Sequence, residues 1–396
     1  MSTRTARRGA VRAALLLAAA VAPAGLAAQG SLGAQGFGYP TGQLSTRALG
    51  TGGSIGEFDQ TSPLNPAAIS YFRRSSISAQ FDPEFRSVTA GGASQRATIA
   101  RFPVISVGLP VRDRLALGLS ASTYLDRTFT TTYQTTSTIG EETVTATESI
   151  ESRGSIADLR VGLGYIATPW LRVGVAGHVL TGENRLVSGR LFADTSRFGS
   201  VSDSSTLDYS GAAVSAGFEL TPVRGLSIAG SARRGLDLRV QRNDSTIRQS
   251  SAPDRIGVGV RFDRITGASF AAGYARNTWT RMRELGSTAL EVHDGAEFMA
   301  GVEAVGPRLG DIPVLLRLGG RDRALPFGIG GAEVRERAYS GGLGLPFAGG
   351  RALGDIAVQR ASRSLDGTVT GTGAQAGLGG ASERAWTISV GFTVRP

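Results

Sequence analysis

From Arg74 to the C-terminus, apolar residues alternate with small or polar ones, the period of a strand whose two faces meet different surroundings. Fourteen segments carry the pattern, near 74–82, 97–110, 113–128, 152–167, 169–183, 206–221, 224–238, 253–264, 266–280, 294–306, 311–321, 334–347, 350–362 and 383–395. Ile256, Val258, Val260 and Phe262 alternate with Gly257, Gly259 and Arg261. Trp386, Ile388, Val390, Phe392 and Val394 alternate with Thr387, Ser389, Gly391, Thr393 and Arg395. Six links are tight, among them Pro110-Val111-Arg112 and Thr221-Pro222-Val223, whereas Arg127–Glu151, Gly182–Ser205 and Asp366–Ser382 are long and polar.

Short and long links therefore alternate around the chain, which a soluble sandwich gives no reason for. A transmembrane antiparallel β-barrel of about 14 strands does, because its turns are short at one end and its loops long at the other. Closure also pairs every backbone amide that hydrocarbon would otherwise strand. Val, Leu, Ile and Phe then face lipid, with Tyr165, Trp170 and Trp386 as candidates for the interfacial girdle.

Two segments precede the predicted wall, which occupies 73–396. Residues 1–28 read as a cleaved signal peptide: Arg4, Arg7, Arg8 and Arg12, an apolar run from Ala13 to Ala22, then Gly25-Leu26-Ala27-Ala28. Residues 29–72 are rich in Gly, Ser and Thr, yet Leu44, Leu49, Ile55, Phe58 and Leu64 make them too apolar for solvated coil. A compact N-terminal plug is expected there. Its corner is Pro63-Leu64-Asn65-Pro66-Ala67, where Pro66 fixes its own φ and pushes Asn65 out of the helical region.

Composition narrows the picture. There is no Cys, hence neither a disulfide framework nor a lipid-anchored leader. No run after the leader approaches eighteen apolar residues, so helical membrane spans are excluded. The formal charge of +10 falls to +6 without the four leader arginines, and every basic side chain is Arg. These arginines are scattered among acidic residues rather than clustered, which speaks against a nucleic-acid partner.

The order of signal peptide, Gly- and Ser-rich plug, Asn65-Pro66-Ala67 and fourteen strands resembles the FadL family of outer-membrane transporters for long-chain fatty acids and other hydrophobic compounds. Ala48-Leu49-Gly50-Thr51-Gly52-Gly53 is similar to the small-residue stretch before that family's Asn-Pro-Ala turn. The likeness covers the architecture of the whole chain and about 25 residues of motif. It implies passive uptake through the outer membrane of a Gram-negative-type cell. A hydrophobic ligand displaces the plug, and Asn65, Pro66 and Ala67 belong to the gate. Partners implied are the lipid bilayer, the hydrophobic ligand and the barrel-assembly machinery, with no cofactor. Two features depart from the family. The third strand, 113–128, offers only Gly118 as a weak point for a lateral exit, and the chain ends Val394-Arg395-Pro396, leaving Phe392 as the terminal aromatic.

Alternation turns Arg160, Arg172, Glu219, Arg233, Arg261, Glu297, Glu303 and Arg317 inward. Arg160, Arg261 and Arg317 are candidates for an anionic head group, since guanidinium grips carboxylate as a fork. The competing reading pairs them with Glu219, Glu297 and Glu303. Phe58 and Leu64 are expected as apolar contacts in the ligand pocket. Catalysis finds no support in the pattern: nothing along the chain sets Ser215 or Ser227 against His178, and no Gly-x-Ser-x-Gly elbow is present. A metal site is not expected without Cys or clustered His. Two other roles fit the same barrel: a secretion or assembly partner resembling PorV-type proteins, and a general diffusion porin.

Overall fold

The computed structural model describes Leu32 and residues 37–90, 93–139, 142–193, 197–285, 291–328, 331–366 and 380–395. The expected signal peptide and residues 29–31 lie outside these.

Fourteen wall strands follow one another in antiparallel pairs. They are β1 Ser76–Ala90, β2 in two pieces (Ala93–Arg101 and Val104–Arg112), and β3 in two pieces (Leu115–Asp126 and Phe129–Ile139). Next come β4 Glu142–Thr168, β5 Leu171–Phe192, β6 Val201–Val223, β7 Leu226–Arg242, and β8 in two pieces (Ser245–Ser251 and Arg255–Phe262). The rest are β9 Ala268–Asn277, β10 Gly295–Leu309, β11 Ile312–Ala324, β12 Glu333–Phe347, β13 Ala352–Asp366 and β14 Ser382–Val394. Each of the fourteen segments read from the alternation falls on one of them. β14 pairs with β1, from Ser382↔Thr89 to Val394↔Ile77, and closes the cylinder. Closure removes the free edges that an open sheet would show to lipid.

The alternation also sorts the faces. Ile256, Val258, Val260 and Phe262 point outward and stay exposed, as do Trp386, Ile388, Val390 and Phe392. Their partners in sequence are buried on the inside. Such a continuous apolar exterior is stable only in lipid.

The long link Arg127–Glu151 is the hairpin extension that its Thr-rich sequence suggests: Phe129–Ile139 pairs with Glu142–Ser152. β4 has 27 residues, β5 22 and β6 23, whereas about ten tilted residues cross the apolar layer. These three strands therefore stand well clear of the membrane at the long-loop end. Thr-rich β-branched sequence favours extended backbone even where it is polar. β7 and β8 are joined there by Asn243-Asp244, both at positive φ (50° and 60°), the requirement of a two-residue hairpin turn.

Residues 37–72 lie against the inner side of this wall. Helix α1, Thr46–Gly50, is capped by the Ser45 side chain and touches β11–β14. The 3-10 turn Gly56–Phe58 touches β7 and β8, and the longer 3-10 helix Pro66–Tyr71 touches β3 to β6. Inward glycines make room for it. A Cβ on Gly174 would overlap the Pro66 carbonyl, one on Gly164 the Ser70 amide, and one on Gly319 the Thr51 backbone. Gly in a strand costs stability, and here it lets two backbones approach.

Candidate functional site

The corner at Asn65 is held by three hydrogen bonds. Its Oδ1 accepts from Ala67 N at 2.9 Å, capping the 3-10 helix, and Pro66 occupies the first helical position. Its Nδ2 donates to Glu57 O at 3.0 Å and to Phe218 O of β6 at 3.1 Å. Asn65, Pro66 and Ala67 are all buried, so the turn is welded to the wall through Asn65.

The pocket candidates are distributed over two ends of the segment. Phe58 is buried beneath the Arg261 guanidinium, 4.7 Å from its ring centroid, and both border a vestibule at the short-turn end. Tyr71 borders the same vestibule and donates to Glu219; burial, then the nearby carboxylate, pushes its phenol pKa up. Leu64 instead borders a separate small cavity of about 50 Å³, partly open to solvent, with Gln43, Tyr124, Arg233, Trp279 and Met299. Arg317 reaches neither. Its Nε meets Glu303 at 2.7 Å and its Nη1 meets Asp355 at 2.5 Å, while Arg47 of α1 forks onto Glu303 at 2.6 and 2.9 Å. Arg261 has Glu219 at 3.7 Å and Asp263 at 3.4 Å. Arg160 is buried too, and its Nε and Nη2 have no hydrogen-bond partner among the described residues, as is true of one nitrogen each on Arg261 and Arg317.

Several contributors were not singled out from sequence. Tyr39 lies amid the guanidinium groups of Arg86, Arg101, Arg323 and Arg363, 4.4 to 5.4 Å from its ring centroid. Its hydroxyl donates to Glu336 at 2.9 Å and accepts from Arg323 at 2.6 Å. Glu84, Glu336, Glu383 and Asp126 pair with these cations, so Tyr39 is clamped in a buried ion-pair network. Toward the long-loop end the lining turns apolar. Phe37, Tyr124, Leu125, Ile156, Leu180, Leu238, Trp279 and Met282 form one cluster, with the Trp279–Leu285 turn folded in and Tyr124 stacked on Trp279 at 5.6 Å.

The ladder between β2 and β3 is interrupted. β2 breaks at Phe102-Pro103 and β3 at Arg127-Thr128. Below the breaks Val104–Arg112 pairs with Leu115–Ser122, and Thr123 N donates to Pro103 O at 3.0 Å. Above them, Ala93–Arg101 pairs with β1 and Phe129–Ile139 with β4, and neither has a second ladder partner among the described residues. Tyr39–Pro40 adds a short strand to β3 at Leu125–Asp126, at the foot of this interruption. The weak point expected at Gly118 is thus corrected: Gly118 is in unbroken register with Gly108 and Gly162, and the break comes after Asp126. Pro103 has no N–H to carry the ladder across.

No protein-family model matches the sequence, and no curated protein matches it. Solved structures match in shape. A Pseudomonas aeruginosa FadL homologue aligns with a TM-score of 0.64 at 12% identity, over 90% of this chain and 99% of that one. The fold is FadL-like. The CymD monoaromatic hydrocarbon channel aligns with a TM-score of 0.56 at 12% identity, covering 89% and 97% of the two chains. The Pseudomonas putida toluene transporter TodX aligns at 0.54 and 10% identity, covering 90% and 99%. All three similarities extend over nearly the full length of those chains.

Proposed function

We propose that this protein is an outer-membrane channel for passive uptake of small hydrophobic compounds, with residues 29–72 as its plug. The observation that carries the reading is the buried apolar cluster around Tyr124 and Trp279 inside the barrel at the long-loop end, within a wall whose exterior is apolar. A hydrophobic solute gains free energy by leaving water for such a lining. The leader supports export to the outer membrane by way of the barrel-assembly machinery.

Long-chain fatty acids are a narrower candidate class. A carboxylate would have Arg160 or Arg261 to meet, while Arg317 is committed to Glu303 and Asp355. The test is uptake by liposomes carrying the purified barrel, comparing a monoaromatic hydrocarbon with a fatty acid. Uptake of neither above empty liposomes overturns the proposal. The close fit of Pro66–Tyr71 against Gly164 and Gly174 is what the assembly-partner reading would favour; a barrel that transports nothing yet co-purifies with a secreted protein would establish it.

A further inference from the structure

His178 connects two side chains on the inner face of the wall. Its Nε2 lies 2.8 Å from Ser215 Oγ on β6, and its Nδ1 lies 2.9 Å from Asp158 Oδ1 on β4. The three residues come from consecutive strands whose register sets His178 opposite Arg160 on one side and Ala213 on the other. Ser215 is therefore diagonal to His178, within reach across one strand spacing. Asp158 is fixed in turn: its Oδ2 accepts from Gln43 at 2.9 Å and faces Arg233 at 3.5 Å. Sequence had offered no reason to bring Ser215 to His178, and the register does so.

We propose that Ser215, His178 and Asp158 form an acyl-transfer site inside the barrel, acting on carboxylic esters of hydrophobic acids or alcohols. The hydrogen-bond order is that of a nucleophile, its base and the group that orients the base. Gln43 is held by Ser122, Asp158 and Arg233, none of which needs the Ser215–His178 bond. Arg160 supplies the remaining part. It stands directly across from His178, buried, with Nε and Nη2 unused by any described residue, and such preorganised donors stabilise a developing oxyanion.

The reaction balances without any further reagent than water. Ser215 Oγ bonds to the ester carbonyl carbon as its proton passes to His178 Nε2. The C–O bond to the alcohol then breaks, and the alcohol leaves with that proton. Water attacks the acyl-serine, its proton again taken by Nε2, and the acid is released as Ser215 recovers its hydrogen. Ser215 and His178 are only 7% and 5% exposed, and the neighbouring cavity is lined by Gln43 and Arg233, which contact Asp158. On this proposal an ester enters from that cavity when Gln43 moves aside.

The purified full-length barrel in detergent is treated with an alkyl fluorophosphonate, and the adduct is located by mass spectrometry of the digested protein. The expected result is one adduct on Ser215, absent in Ser215→Ala and formed at least about 100-fold more slowly in His178→Gln, the scale of general-base assistance. Gln43→Ala is expected to label faster, and p-nitrophenyl hexanoate hydrolysis to follow the same order. The rate should rise with pH as the base loses its proton, a limb missing from His178→Gln. Heat-modifiable migration on a denaturing gel checks that each variant is a closed barrel. No adduct on Ser215 in either the native protein or Gln43→Ala, or equal rates with and without His178, overturns the proposal and leaves the three residues as an internal hydrogen-bond chain.

Discussion

The Thr46 hydroxyl oxygen lies 2.8 Å from that of Ser389, joining helix α1 to the inner face of β14. The two residues are 343 apart in sequence, and their contact exists only because the barrel closes around its own beginning. It also offers a lock. The chain has no native Cys, and β-carbons bearing oxygens this close suit a disulfide. Thr46→Cys with Ser389→Cys should give a barrel whose uptake of a hydrocarbon falls several-fold on oxidation and recovers on reduction. Equal uptake in the two redox states shows that α1 need not move.

Gly174 has no room for a side chain, since a Cβ there meets the Pro66 carbonyl. Gly174→Val should push the Pro66–Tyr71 helix off the wall at a cost of about 1–3 kcal/mol. The expected readout is higher single-channel ion conductance from a barrel that still closes. Unchanged conductance would mean that the segment is not what blocks the bore.

Asn65→Ala removes one cap bond and two bonds to backbone carbonyls. Loss of such a cap is worth about 1–2 kcal/mol. Amide hydrogen exchange should therefore accelerate about tenfold or more across 56–72, with the wall strands unaffected.

Arg317 and Arg153 separate buried from exposed pairing. Arg317 is fully buried between Glu303 and Asp355, whereas Arg153 is 74% exposed beside Glu151. Arg317→Ala strands Asp355 and leaves Glu303 to Arg47 alone, and should destabilise the barrel by about 3–5 kcal/mol, while Arg153→Ala should fall within about 0.5 kcal/mol. Urea unfolding in lipid measures both.

The alternation of apolar and small residues along single strands was enough to place all fourteen spans and to turn Arg160, Arg261 and Arg317 inward. A period of two is written locally, and a lipid exterior enforces it strand by strand. The hairpin extension at 129–152 was legible in its Thr-rich composition, but its register was not, because that depends on the partner strand. What the chain could not declare alone was which inward residues would meet. Asp158, His178 and Ser215 stand together only after turns and bulges have set two registers. Tyr39 finds its four arginines only because β1, β2, β11 and β13 converge on the first turn of the chain. The interrupted ladder likewise follows from two breaks in different strands falling side by side. Such distant pairings depend on closure, which orders residues hundreds of positions apart and leaves no trace in local periodicity.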